Sequence, residues 1–369
     1  MGAVLKRVFS RENLPAVAVL VAAFAVRVGI GLTTPAMGWP DEIFQTLEQA
    51  HRLAFGFGMI PWEFRDGIRS WVLPAFFSVV MKVGEVLMGP PMGHLKAVTL
   101  VLSLVSLTPV WVAMRWAKTE ALKWPWLAGV VVAGWYELIY FSNRALTEVM
   151  AAWALVLAVF LLHRTKVQPT AWLPWVTGAL FGLVVGLRFH LVPALAVTVL
   201  FVTRKDFKLL LKLAAGGAAV FLVFGLVDWA TWGTPFQSVW KNFVVNVVEK
   251  KSEFYGVSKW SEYLVATWQL WGWSTVPLLG TAALAWRRWP VLGVAAVSIL
   301  VLHSALAHKE YRFLAPAFAL LLVSCGLGVS LIAAWSKGAG VTVTAVLLAA
   351  SVWGSQRFEW KMQIGRAHV

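Results

Sequence analysis

Residues 71–89 read WVLPAFFSVVMKVGEVLMG, and whether this stretch crosses a bilayer decides how the whole chain is threaded. Its apolar content invites a span, but Lys82 and Glu85 stand near its centre, where each charge costs about 3 kcal/mol on insertion scales. The surrounding cations settle the choice. If 71–89 lies in the interface, the short basic connections with Arg115, Lys118 and Lys123, Arg164 and Lys166, Arg204, Lys205 and Lys208, Arg287 and Arg288, and Lys337 all share the side of the N-terminus, the cytoplasmic side by charge bias. If it crosses, every one from Arg115 onward flips. The stretch is therefore expected to be an amphipathic surface helix within one long external loop, 35–94.

The rest of the chain follows from that placement. With 60% of its 369 residues drawn from AVILMFWYC and only 13% charged, it has more large apolar side chains than a core can hide, which excludes a water-soluble globule. Lys6, Arg7 and Arg11 precede an apolar run from Leu14 to Thr34 that is too long for a signal-peptide core and lacks a small-residue cleavage site, so it reads as an uncleaved first span. Further runs at about 95–116, 125–141, 146–162, 172–188, 189–203, 208–230, 263–286, 290–307, 313–335 and 340–354 bring the expectation to eleven transmembrane helices in a single all-α polytopic domain, 1–356. Cys325 is the one cysteine, which excludes an intramolecular disulfide and any Cys-x-x-Cys site. The net charge of +15 is scattered between apolar runs, as topology requires and unlike a nucleic-acid-binding face, so no nucleic-acid partner is expected.

Five segments then fall on the outer side: 35–94, 142–148, 188–190, 231–260 and 308–312. They gather carboxylates, histidines and arginines, whereas the cytoplasmic connections are merely basic, so polar chemistry is expected at the external surface. Trp39-Pro40-Asp41-Glu42 opens a helical pattern that Gly56 and Gly58 end. Two readings fit: an ordinary helix start, since Pro and acids suit a first turn, or a carboxylate base at the mouth of a membrane cavity. Adjacent helical residues point about 100° apart, so Asp41 and Glu42 should not share one role. Glu48 and His51 have the i, i+3 spacing of helical di-iron sites, but a single copy suits a surface helix face, and no metal is expected. His308, Lys309 and Arg312 are either a snorkelling cap or a site for an anion such as phosphate, with His308 and Arg312 on one face if their turn is helical. Arg144 with Glu148, and Arg188 with His190, repeat the theme as ion pairs or site residues, and the aromatics of 231–260 suit an interface belt or a sugar-holding groove.

Together these residues resemble glycosyltransferase family 22, the dolichyl-phosphate-mannose-dependent mannosyltransferases of GPI-anchor and N-glycan assembly. Pro40-Asp41-Glu42, Gln45, Glu48, His51, Phe55-Gly56-Phe57-Gly58, Trp62-Glu63, Ile68-Arg69-Ser70 and Pro74 match that family's first external loop in order and spacing. Arg144-Ala145-Leu146-Thr147, Asp228 with Trp232-Gly233, Phe254-Tyr255-Gly256 and His308-Lys309-Glu310-Tyr311-Arg312-Phe313 look like its later motifs, so the resemblance spans about 39–316. Trp39 stands where the family has histidine. The final Ile364-Gly365-Arg366-Ala367-His368-Val369 looks like translated adapter DNA, so the tail 357–369 is set apart and a longer natural C-terminus is expected.

The resemblance implies a GT-C membrane fold and inverting transfer of a hexose, mannose by family, from a polyprenyl-phosphate donor to a lipid-linked or membrane-presented glycan. No cofactor is implied. Asp41 would be the base with Glu42 beside it; His308, Lys309 and Arg312, seconded by Arg144 and Arg69, would meet the donor phosphate; Glu48, His51, Trp62, Glu63, Arg188, His190 and Tyr255 would line the substrates. The membrane would be the plasma membrane, with an undecaprenyl carrier, in a prokaryote, or the endoplasmic reticulum, with a dolichyl carrier, in a eukaryote. Two rival classes are a secondary transporter, disfavoured by unlike halves and few intramembrane acids, and a non-catalytic protein that binds or flips lipid-linked glycans.

Overall fold

The computed structural model describes residues 13–33 and 39–358, so Lys6, Arg7, Arg11 and the adapter-like end of the tail lie outside the described residues. Among those described there are helices and no strands, as expected of an all-α polytopic protein. In chain order the main helices are α1 Leu14–Thr33, α2 Glu48–Phe55, α3 Val72–Met88, α4 Gly93–Val105, α5 Thr108–Thr119, α6 Pro125–Gly134, α7 Thr147–Val167, α8 Leu173–Leu187 and α9 Val192–Thr203. They continue as α10 Phe207–Trp232, α11 Glu262–Trp271, α12 Thr275–Arg288, α13 Pro290–Ser304, α14 Ala315–Trp335 and α15 Lys337–Arg357.

Among the described residues, six helices are long and apolar enough to cross a membrane: Leu14–Thr33, Gly93–Thr119, Thr147–Val167, Phe207–Trp232, Tyr311–Trp335 and Lys337–Arg357. Four shorter apolar helices accompany them, but the described helices do not resolve into eleven continuous spans. The run at 263–286 divides into α11 and α12 at Gly272, whose φ of 50° suits a residue without a Cβ. The run at 125–141 breaks at Trp135, whose ψ of 125° is extended rather than helical.

α14 threads the centre of the bundle and touches α5, α6, α7, α12, α13 and α15. Its small and aliphatic residues are buried all round, the pattern of a helix with no solvent or lipid face. Gly328 shows how close the approach is: a Cβ there would sit 2.0 Å from the Thr281 carbonyl oxygen of α12. α8 and α10 pair in the same way through Gly178, Gly182, Gly216 and Gly217, whose missing side chains let the two backbones meet.

The decisive stretch 71–89 forms α3, which turns back into α4 at Gly89 and lies against α2 of the same loop. Leu73, Phe77, Met81 and Gly84 make its buried face, while Val79, Val83 and Val86 form an exposed apolar one. Lys82 stays exposed, and Glu85 is met by His94 at 3.0 Å across the hairpin, so neither charge enters the packed core.

Candidate functional site

The helical run from residue 40 starts with Pro40, whose fixed φ and missing N–H suit a first turn, and continues as a π-type segment, Glu42–Leu47, before α2. Asp41 and Glu42 part company there. Glu42 turns inward with its side chain 1% exposed, accepts the Ala145 N–H at 2.9 Å and lies 3.6 Å from Arg144 Nη1. Asp41 stays one-third open and pairs with Arg312 Nη2, a contact between residues 271 positions apart.

Arg312 is the hub. Its Nε and Nη2 donate to the two Glu310 oxygens at 2.7 and 2.8 Å in a forked pair, and Nη1 reaches Glu148 Oε1 at 3.2 Å. The same Glu148 oxygen lies 3.4 Å from Arg188 Nη2. The Arg312 guanidinium stacks 5.2 Å from the Trp39 ring, whose Nε1–H donates to the Tyr140 hydroxyl at 3.0 Å, and Arg144 sits 4.4 Å over that tyrosine. Trp39 therefore supplies a platform between the two arginines at the position where the resembled family has histidine.

The condition for His308 and Arg312 to share a helix face, a helical turn over 308–312, is not met. The chain bends through 306–308, is extended at Glu310 and becomes a 3₁₀ turn only over Tyr311–Leu314, so His308 and Arg312 meet through Glu310 rather than along one helix face. His308 Nε2 lies 3.2 Å from Glu310 Oε1 and Nδ1 lies 3.0 Å from the Gly256 carbonyl oxygen. The hydrogen bond to Glu310 chiefly raises the His308 imidazole above its ordinary value, over the opposition of burial and of Arg312. Burial alone would raise the Glu310 carboxyl, but Arg312 and His308 outweigh it and hold the group well below the usual carboxylate range. The bend sends Lys309 elsewhere: its Nζ donates to the carbonyls of Ser258, at 3.2 Å, and Leu306, and desolvation lowers its pKa.

Arg69 lies on a small open cleft bounded by Gln45, Thr46, Leu73, Leu187, Phe224 and Asn242. Its Nη2 is 2.6 Å from Glu63, which also accepts from Gln45 at 3.1 Å. Desolvation opposes the charge of Arg69, yet Glu63 and Asp41 leave its pKa raised, so the guanidinium belongs to the same field as the Asp41 cluster. Glu48 and His51 turn instead to the loop after α2: Glu48 accepts the Met59 N–H at 2.7 Å, and His51 Nδ1 lies 3.2 Å from the Phe57 carbonyl oxygen. Trp62 carries Lys251 at 3.5 Å over its ring, Tyr255 faces His308 with centroids 6.4 Å apart, and His190 stacks on Phe189 at 3.9 Å. Asp228 accepts the N–H and O–H of Ser238 at 2.8 and 2.6 Å and so anchors the start of Gln237–Phe243.

Asp41, Arg312 and Arg188 thus come together, Arg144 with Glu42 and Arg69 with Glu63 flank them, and Lys309, Glu48 and His51 serve neighbouring backbone. Sequence reasoning paired Glu148 with Arg144, whereas the structure pairs it with Arg312 and Arg188, and it gave Glu310 no role although that acid stands two residues from Arg312. Among the described residues, no group of three or more His, Cys, Asp or Glu is placed to hold a metal ion.

The model of the Alg9-like mannosyltransferase family matches residues 18–358, which contain every residue of this cluster. The chain belongs to that family. Similar curated proteins include GPI alpha-1,2-mannosyltransferase 3 of Xenopus laevis, 26% identical over 322 residues, covering 81% of this chain and 57% of the relative. Another is GPI mannosyltransferase 3 of Yarrowia lipolytica, 28% identical over 316 residues, covering 81% and 59%. The chain therefore spans less than two thirds of the length of these relatives. Among solved structures, ArnT from Cupriavidus metallidurans bound to undecaprenyl phosphate superposes with a TM-score of 0.59 over 94% of this chain and 70% of that one, at 15% identity. Its apo state gives 0.58 over 89% and 62%, at 17% identity. At that identity the likeness concerns the fold, and it makes this Alg9-like chain an integral, multi-pass GT-C protein.

Proposed function

We propose that the chain transfers a mannosyl residue from a polyprenyl-phosphate donor to a hydroxyl of a lipid-linked or membrane-presented glycan, with inversion in one displacement. The observation that carries this reading is the Asp41–Arg312 contact, which sets the one partly open carboxylate of the motif beside a buried, forked cation. The family and the relatives' names support mannose. The neighbour solved with undecaprenyl phosphate supports a polyprenyl carrier.

Asp41 takes the proton of the acceptor hydroxyl as that oxygen attacks C1 from the face opposite the phosphate. The C1–O bond to phosphate breaks through an oxocarbenium-like state, and its electron pair leaves with the polyprenyl phosphate. Arg312 starts bound to Asp41, Glu148 and Glu310. The arriving phosphate draws the Nη2 edge off Asp41, which frees the base and gives the growing negative charge a preorganised cation. Arg188, fixed by Glu148, and the charged form of His308 add to that field. Glu42 holds Arg144 and the Ala145 backbone and so positions rather than reacts. The site lies on the external or lumenal side, with the N-terminus cytoplasmic, by the charge bias of the connections.

The test is transfer of labelled mannose from synthetic polyprenyl-phosphate-mannose to a glycolipid acceptor in membranes. Asp41→Asn lowers kcat by about a thousandfold, in the range for losing a general base. An Asp41→Asn rate equal to wild type ends the reading. For sidedness, single cysteines introduced into 231–260 in a chain lacking Cys325 are labelled from the external side of intact vesicles, and labelling only after permeabilisation reverses the orientation.

A further inference from the structure

Among the buried groups that the proposed chemistry does not use, Glu137 is the most heavily bonded. It is 0% exposed in a stretch that reads as plain lipid-facing sequence, yet three donors converge on its carboxyl. Trp135 Nε1–H donates at 2.8 Å, Trp271 Nε1–H straddles both oxygens at 3.1 and 3.2 Å, and the Tyr311 hydroxyl completes the set. A carboxyl group fits because its two oxygens offer about four lone-pair sites, whereas an amide would aim its own N–H at one of these donors.

The backbone is shaped for this bond. α6 stops at Gly134, Trp135 is extended, and Tyr136–Phe141 restarts, which lets the Trp135 indole fold back onto the Glu137 side chain two residues on. Ser351 of α15 repairs the break, accepting the Tyr136 N–H and donating to the Gly134 carbonyl, both at 2.8 Å. The partner that matters is Tyr311, 174 positions away and adjacent in sequence to both Glu310 and Arg312. Glu310, His308 and Lys309 bond within the turn or to the neighbouring loop at Gly256 and Ser258. Tyr311 instead points into the bundle, packs on Phe318 with centroids 5.0 Å apart, and ends on Glu137.

We propose that Glu137 is a positioning residue: by gripping Tyr311 it fixes the 308–313 turn so that Arg312 stays aimed at Asp41. Its consequence for rate rests on the mannosyl-transfer reading, whereas the grip on the turn does not.

The experiment therefore has two arms, run on the full chain with Glu137→Gln, Tyr311→Phe and the double variant. Tyr311→Phe keeps the ring and loses only the O–H, so it tests the proposal even if Glu137→Gln fails to fold. In the first arm Ala307→Cys, in a chain with Cys325→Ala, reports the turn by its maleimide labelling rate. Each single variant raises that rate about tenfold, and the double raises it no further, as expected when two residues act through one bond. In the second arm kcat per folded enzyme falls about tenfold with donor KM within about twofold, the pattern of a lost transition-state interaction. The alkaline midpoint of the rate profile also moves down, because the His308–Glu310 bond depends on the same turn. The groups facing His308 are Glu310, Arg312, the Gly256 carbonyl and the Tyr255 and Phe313 rings. Simple loss of folded protein lowers the amplitude and leaves that midpoint alone. Unchanged labelling in Tyr311→Phe, effects that multiply in the double variant, or faster labelling with an unaltered kcat and midpoint in an active enzyme each overturn the proposal. A wild type that transfers no sugar overturns the mannosyl reading, and the labelling arm still decides the grip.

Discussion

Two glutamates in this molecule are each shared between a histidine and an arginine, and their surroundings differ. Glu310 accepts from Arg312 and meets His308; Glu120, where α5 ends, lies 3.0 Å from His163 and 3.8 Å from Arg288. His163 sits sixteen positions along α7 from Thr147 beside the site, about 24 Å at 1.5 Å per residue, so the two clusters occupy opposite ends of the bundle. At the far end the set is closed. His163 stacks on Trp116, and Arg288 is half exposed to solvent. At the site end Arg312 is 4% exposed and continues into Asp41 and Glu148, and Glu148 into Arg188. The same three residue types therefore make a closed brace in one place and a continuing relay in the other. The difference is whether the arginine has further carboxylates to reach.

Substitutions at Arg312 should show the largest contrast after Asp41→Asn. Arg312→Lys keeps the charge but loses the fork, and kcat/KM falls by about 10²–10³, the cost of removing one preorganised donor from a reacting charge. Arg312→Ala also strands Glu148 without that partner and lowers stability by about 3–5 kcal/mol, read from thermal unfolding in detergent. Glu42→Gln separates the adjacent acids: it costs about 1–3 kcal/mol by weakening the hold on buried Arg144, while transfer per folded enzyme drops less than about tenfold.

A pH profile reads the His308–Glu310 pair. The folded imidazole lies above its ordinary 6.5, chiefly through the hydrogen bond to Glu310. The charged pair is therefore fully present below 6.5 and is lost as pH rises through the raised value. Transfer should decline by a few-fold along an alkaline limb beginning above 6.5, and His308→Gln should flatten that limb. The smallest effect belongs to the far end. Glu120→Gln should cost about 1 kcal/mol and leave the transfer rate at wild type, because Arg288 is half exposed there and an amide oxygen still accepts from His163. A rate loss at Glu120 matching that at Glu310 would erase the distinction between the two clusters.

Much of the site was legible because polar residues are conspicuous in an apolar chain. Pro40-Asp41-Glu42 and the 308–313 hexapeptide stand out at the ends of hydrophobic runs, and charge bias alone put both on one side. Their partners were not legible. Lys309 and Arg312 carry the same charge three positions apart, but the bend at 306–308 turns Lys309 to backbone carbonyls. Glu137 was hidden for the opposite reason: one acid in an apolar run looks like an isolated exception until Trp271 and Tyr311 arrive from distant helices.

The sequence by itself determined that this is a helical membrane protein, that α3 carries charges unsuited to the bilayer interior, and where the acids and cations cluster along the chain. These are properties of composition and local periodicity, which transfer free energies fix residue by residue. Only the tertiary structure decided which of two adjacent acids stays open, which cation faces it, and that residues 271 positions apart come into contact. Those choices depend on directed hydrogen bonds and close packing between distant segments, and a one-dimensional pattern carries no direction.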